Sequence, residues 1–499
     1  LGDVYKRQGW GMQYSMGEIP YYVYEFFKKG IEDGNNYYSL SQTRSRSAAF
    51  FANATYSYKG RYTVNGTARY EGTNRMGKSR SARWLPTWNV SGAWNAHEEK
   101  FFSNLTSVLS HFTLKASYSL TADRGPADVT NSQAIITSYS PYRPFTSIQE
   151  SGLYIKELEN SELTYEKKHE LNIGADMGFL NNRINLAVDW YKRNNYDLIG
   201  IVNTQGAGGQ ILKYANIASM KSHGIEFTLS TKNIKTKDFN WNTDFIFSNA
   251  KNEVTDLKQN ANVMELISGN GFAKQGYPVR GLFSIPFVGL DKDGIPVIIN
   301  EKGEATSTDI NFQERQNTGF LKYEGPTDPT ITGSLGNMFS YKGFRLNLFI
   351  TYSFGNVIRL NPVFKAYYSD LTAMTREFKN RWTLPGDEAK TNVPAILSKR
   401  MYDSNEDLKY AYNAYNYSTE RIAKGDFIRL KEISLAYDFP KAWINPLKLT
   451  DLSLKVQATN LFLIYADDKL NGQDPEFFNA GGVASPVPRQ FTITLLSLI

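Results

Sequence analysis

From residue 50 onward the chain repeatedly alternates apolar and polar side chains with a period of two. Phe50, Ala52, Ala54, Tyr56 and Tyr58 stand against Phe51, Asn53, Thr55, Ser57 and Lys59. After Gly60 come Tyr62, Val64, Gly66, Ala68 and Tyr70 against Arg61, Thr63, Asn65, Thr67 and Arg69. A period of two belongs to a strand, whose successive side chains leave opposite faces. Each stretch has about the 9–11 residues that a tilted strand needs to cross hydrocarbon. The pattern returns at 84–94, 112–120, 169–178, 183–192, 224–231, 239–248, 331–341, 344–354, 427–437, 451–462 and 490–499. By this template the chain has about thirteen strands.

Composition removes the competing classes. Disorder does not fit a 499-residue chain with 32 Tyr, 30 Phe and 8 Trp. No run approaches the ~18 apolar residues of a spanning helix. With no cysteine there are no disulfides and no thiolate chemistry. A net charge of +7 from 56 basic and 49 acidic residues is mild, so nothing here calls for a nucleic-acid partner.

The connections sort by parity. One set is short: 59–61, 95–111, 179–182, 232–238, 342–343 and 438–450. The other is mostly long: 71–83, 121–168, 193–223, 249–330, 355–426 and 463–489. A soluble sandwich gives no reason for length to follow parity, whereas outer-membrane barrels have short periplasmic turns and long extracellular loops. The fold expected is therefore all-β, an antiparallel transmembrane β-barrel. If 490–499 descends to the periplasm, so does 50–58, and residues 9–49 continue an extracellular loop, with 10–16 as the candidate remnant of an ascending partner. An odd count cannot close an antiparallel barrel, so further strands are expected on the N-terminal side. Leu1 to Gln8, LGDVYKRQ, resembles a translated sequencing-adapter scar and is set aside, leaving 9–499 as barrel. No signal peptide is visible at the start.

Several segments together resemble one family. They include LKASYSLTADRG at 114–125, LTYEKKHELNIGADMGFLNNRINLAVDWYKRNNYDLI at 163–199 and NIASMKSHGIEFTLS at 216–230. FNWNTDFIFSNAKNEVTDL follows at 239–257, GPTDPTITGSLGNMFSYKGFRLNLFITYSFGN at 325–356, GDFIRLKEISLAYDFP at 425–440 and ATNLFLIY at 458–465. From about residue 45 to the end, the chain resembles the C-terminal barrel part of a SusC/RagA-type TonB-dependent outer-membrane transporter of the Bacteroidetes. The resemblance implies a barrel of about twenty-two strands, of which 13–14 are here. It also implies an N-terminal plug, a TonB-contacting segment and a SusD-like surface lipoprotein capping the mouth. The chain departs from the family at Ile499, where an aromatic residue is usual.

Chemical motifs are weak by comparison. Gly72 to Ser79, GTNRMGKS, has the spacing of a phosphate-cradling loop, but no helix start is visible after it, so a polar loop tip is expected. His97, His111, His169 and His223 lie far apart without metal spacing. Asp291-Lys292-Asp293-Gly294 departs from a calcium loop and reads as a tight turn. No nucleophile elbow is present, so neither an enzyme nor a cofactor site is expected. The N-x-[ST] sites at Asn53, Asn65, Asn89, Asn104 and Asn416 carry no glycosylation meaning in a bacterial outer membrane. Trp84, Trp88, Trp94, Trp190 and Trp241 read as interface girdles.

Loop tyrosines are the candidate substrate contacts: Tyr139, Tyr142 and Tyr154 in one loop, and Tyr402, Tyr410, Tyr412, Tyr415 and Tyr417 in another. Flat rings suit sugars or peptide side chains, and the alternative role is packing between loops. Arg183, Asn185, Asp189, Glu226, Arg345 and Asn347 are expected to face the lumen. The expected function is uptake of an oligosaccharide or peptide through a barrel in contact with outer-membrane lipid. A siderophore receptor, a passive porin or a soluble glycan-binding β protein are the alternatives.

Overall fold

The computed structural model describes residues 3–12, 38–125, 134–139, 152–203, 212–365, 374–447, 449–478 and 488–498. Its main body is one fourteen-stranded antiparallel sheet in strictly sequential order. The strands are β1 (Asp3–Met12), β2 (Tyr38–Tyr58), β3 (Tyr62–Thr73), β4 (Trp84–Asn95), β5 (Leu109–Asp123), β6 (Glu166–Phe179) and β7 (Ile184–Asn203). There follow β8 (Leu212–Lys235), β9 (Phe239–Leu257), β10 (Ile331–Tyr341), β11 (Phe344–Phe354), β12 (Phe427–Asp438), β13 (Asp451–Ala466) and β14 (Gln490–Leu498). Every stretch expected from alternation coincides with one of β2 to β14, except that Arg183 falls in the turn before β7 and Ile499 lies outside the described residues. β1 comes in addition and includes Asp3 to Gln8, which pair with Ser47 to Gln42 of β2. Among the described residues β1 and β14 are the two edges of the sheet.

Two rows show why the sheet has two unlike faces. Phe112, Met177, Leu186, Leu229, Phe245, Leu335 and Ile350 are in register across seven strands. On the other face, Ser57, Thr63, Ala93, Lys115, Gly174, Asp189, Glu226, Ser248, Thr332 and Ser353 are in register across ten. Among the described residues the apolar face has no protein layer against it: Phe50, Tyr56, Val64, Val90, Leu114, Tyr118, Val456 and Ile493 are all exposed. So large an uncovered apolar surface marks a lipid interface.

The short turns use left-handed backbone where strand twist requires it. Lys59 and Gly60 have φ of 52° and 71°, and Lys342 and Gly343 have 44° and 90°. Two successive positive values suit a tight hairpin between right-twisted strands. On the opposite side one expected loop is mostly strand. Residues 193–203 and 212–223 continue the β7–β8 ladder as far as Asn203↔Leu212, with register shifts between Asn216 and Ala218 and between Ala218 and Met220. Polar hairpins are indistinguishable from loop by hydrophobic alternation, so this extension had no period-two signal.

The buried core lies above the sheet rather than in it. Val263, Leu266, Ile267, Phe283, Ile285, Ile298 and Leu321 from 258–330 pack with Ala414 from 355–426. The helix Val263–Ile267 is started by a capping box: Asn262 Oδ1 accepts from Glu265 N and Glu265 Oε2 accepts from Asn262 N, each at 2.8 Å. The two loops exchange backbone bonds, Ile285 N to Tyr417 O at 3.0 Å and Thr419 N to Ile285 O at 3.1 Å. The described parts of these two loops thus form a folded body over one rim, rather than irregular tethers.

Candidate functional site

The polar face of the sheet carries two clefts. The first, about 310 Å³, is lined by Thr63, Asn65, Ser91, Lys115, Ser117, Asn172 and Asp189 among others. Lys115 Nζ donates to Asp176 Oδ1 at 3.0 Å. Asp189 lies over Gly174, where an added Cβ would meet its Oδ1 at 2.3 Å and Lys115 Cε at 3.4 Å. Glycine at 174 therefore makes room for a lysine and an aspartate on neighbouring strands.

The second cleft, about 440 Å³, is lined by Thr67, Arg69, Glu71, Thr87, Asn89, Thr121 and Arg124 among others. It lies four residues further along β3, roughly 13 Å towards the long loops. Arg69 pairs tightly with Glu71, and Arg124 Nη2 lies 3.8 Å from Glu71 Oε1. Beyond it, Arg193 stacks on Tyr191 at 4.0 Å and pairs with Glu170 at 3.1 Å. Tyr191 occupies the space left by Gly224. This wall is chemically fit to hold a polar solute by many weak contacts.

The expected lumen residues divide by height. Asp189 and Glu226 are neighbours in the polar row, and Ser248 Oγ donates to Glu226 Oε1 at 3.4 Å. Asn347 Nδ2 donates to Glu432 Oε1 at 3.5 Å. Arg345 lies nearer the short turns, held by Asp438 at 2.7 Å. Asn185 is tied to Asn182 O at 3.1 Å. Arg183 is used at the turn itself, its guanidinium donating to Lys232 O and Asn233 O at 3.3 and 3.0 Å. A guanidinium that closes a hairpin end is not free to line a channel.

The loop tyrosines divide as well. Tyr412 and Tyr415 are 0% and 1% exposed. Tyr415 meets Phe287 edge-on at 5.4 Å, and Tyr412 meets Phe364 at 5.2 Å. Burial drives the Tyr415 phenol pKa far up, so it stays neutral. Tyr417 packs on the loop core. These three rings hold the loops together; Tyr412 and Tyr415 present no face to a solute, and Tyr417 is partly exposed. Tyr410 and Tyr154 are exposed and Tyr402 is partly so. Tyr139 ends a strand, Ile135–Tyr139, that pairs with Gly152–Glu157, and its side chain lies outside the described residues, as does Tyr142. Sequence spacing could not separate buried from exposed rings, because that depends on which loops meet.

Other motifs resolve structurally. The 72–79 segment is followed by one helical turn, Arg80–Arg83, which the sequence did not announce, with Ser79 Oγ accepting from Ala82 N at 3.1 Å. Gly77 N donates to Leu163 O at 2.8 Å, and an added Cβ would lie 2.0 Å from Ser161 O. The glycine serves backbone-to-backbone packing, so the loop has no phosphate cradle. Gly77→Ala is expected to cost about 1–3 kcal/mol, because the clash is with rigid backbone. Gly66→Ala, with nothing within 4 Å of its Cβ, should cost far less. Thermal unfolding in detergent compares them, and equal shifts would contradict the packing role.

Asp291 forms the expected turn, accepting from Asp293 N and Ile295 N at 2.9 Å each. Asn300 repeats it with Lys302 N and Glu304 N. His97 and His111, distant in sequence, have ring centroids 4.1 Å apart at a short turn. No group of three metal-ligating side chains forms among the described residues. Asn416 is buried, and its Oδ1 accepts from Val363 N and Phe364 N at 3.0 and 3.1 Å.

Comparison with known proteins is consistent across sequence and fold. A family model described as "TonB dependent receptor-like, beta-barrel" matches residues 2–461. TonB-dependent receptor P3 of Formosa agariphila is 25% identical over 85% of this chain and 41% of its own length. TonB-dependent receptor SusC of Bacteroides thetaiotaomicron is 25% identical over 94% of this chain and 46% of its own. Among solved structures, the RagAB peptide importer in its closed-closed state superposes with a TM-score of 0.74 at 21% identity, covering 100% of this chain and 53% of that one. The chain spans about half the length of the curated relatives it matches.

Proposed function

Because the chain belongs to the TonB-dependent receptor β-barrel family and crosses the outer membrane with its strands, we propose that it is a wall of a SusC/RagA-type importer for a bulky nutrient, an oligosaccharide or a peptide. In this reading the chain, with Asp3 to Gln8 included in β1 rather than set aside, forms the C-terminal part of the barrel. A plug and a TonB-contacting segment belong to the whole protein, and a SusD-like surface lipoprotein closes the mouth. The observation that carries the reading is the two-faced sheet itself: apolar and unlayered outside, polar and cleft inside, with a folded loop body over one rim. The structural likeness is to a peptide importer, which favours neither substrate class here. Asp189, Glu226, Asn347, Tyr154, Tyr402 and Tyr410 are the residues proposed to meet solute on its way.

Deleting the gene from its native host should abolish growth on one polymeric nutrient and spare growth on its monomer. Collapsing the proton gradient should stop uptake in the same way. Uptake that persists without the gradient would point to a passive pore instead. A protein extractable without detergent as a monomer would sink the membrane assignment.

A further inference from the structure

The second cleft is lined by two arginines and one acid. Arg69 and Arg124 share one carboxylate, Glu71. Glu71 is sunk, its side chain 13% exposed, while the arginine side chains are 50% and 34% exposed. The cleft therefore shows two guanidinium faces, with the acid beneath them, and among the described residues no other acid lines it. The nearest acids by register, Asp123 and Glu166, lie outside the lining and accept from Gly125 N at 3.2 Å and Ile199 N at 2.8 Å. Tyr165 stands beside the group with its hydroxyl donated to Arg83 O at 3.3 Å, and burial pushes its pKa up to about 12, so it adds no negative charge. Thr67, Thr87, Asn89 and Thr121 supply neutral hydrogen-bonding groups around the rim. Phe51, paired with Arg69 on the polar face, is 80% exposed. A guanidinium fork matches a carboxylate bidentately, and a second one leaves one positive charge uncompensated.

We propose that this cleft is a carboxylate subsite, holding an acidic group of the transported solute through Arg69 and Arg124. The proposal rests on the importer reading and names what that importer recognises. Two sources share this chemistry, a uronic acid and a peptide C-terminus. The whole protein in detergent would be titrated with four probes: tetragalacturonate, its methyl ester, tetra-alanine and tetra-alanine amide. Each free acid that the site recognises should bind more tightly than its neutral partner, and which pair shows the gap identifies the source. Arg69→Gln and Arg124→Gln should each weaken the acid by about 10- to 100-fold and leave the neutral probe unchanged. Arg69→Lys should retain part of the preference. Resistance of each variant to unfolding by sodium dodecyl sulfate on unheated gels confirms that the barrel is formed.

Equal affinity for acid and neutral probes in the unaltered protein would overturn the subsite, as would variants that weaken both alike. Energised uptake is a separate readout. A protein that transports without acid preference overturns the subsite alone, and one that binds acid through these arginines but never transports overturns only the importer reading.

Discussion

Arg359→Met is expected to unlock the loop body while leaving the barrel wall intact. Arg359 is 7% exposed and stands in a short strand, Val357–Arg359, above β11. Its Nη1 donates to Ser418 O at 2.9 Å, and its Nη2 to Ile267 O at 3.3 Å and Phe283 O at 2.5 Å. One guanidinium thus satisfies carbonyls from both long loops at their junction. Burial lowers its pKa to about 9, against the pull of Glu324, so it remains charged at neutral pH. Methionine fills much of the volume but takes the guanidinium away from the Ile267 and Phe283 carbonyls, and leaves Ser418 O with Arg421 N alone at 3.0 Å. Leaving a buried carbonyl without its donor costs about 1–3 kcal/mol for each group. Proteases should then cut within 258–330 and 374–426 at far lower concentrations, while the barrel still resists detergent. If the loops of the variant resist proteolysis as well as the original, Arg359 does not hold the junction.

Leu348→Arg should damage folding into the membrane, and Asn347→Arg beside it should not. The two residues adjoin in β11 and leave opposite faces. Leu348 is in register with Ile433 on the apolar face, and Asn347 with Ser434 on the polar one. Near the middle of an eleven-residue strand, an arginine facing lipid costs about 2–4 kcal/mol. At Asn347 the new guanidinium meets water and lies near Glu432, which already accepts from that position. Urea titration of the protein refolded in lipid vesicles would separate the two. Equal losses would mean that the faces are assigned the wrong way round.

The strand assignments were legible because their cause is local. Side chains alternate across a strand, so a sheet between lipid and water writes its period directly into the chain, and Phe344, Leu346, Leu348, Ile350, Tyr352 and Phe354 carry it without a break. Loop-length parity, and with it the outer-membrane barrel, followed from the same spacing. Arg69 and Asp189 were readable as polar-face residues for the same reason. Their partners were not. Glu71 and Arg124 lie beyond the alternating stretches, and the contact between β3 and the end of β5 depends on register.

Alternation alone determined the sheet, its two faces and the sidedness of its connections, since each is set by neighbours one or two residues away. Tertiary structure decided that Tyr412 and Tyr415 are core rather than contact surface, that Arg183 closes a turn, and that two arginines share one acid. These depend on meetings between segments far apart in the chain, where burial and charge pairing are fixed by packing and leave no periodic trace.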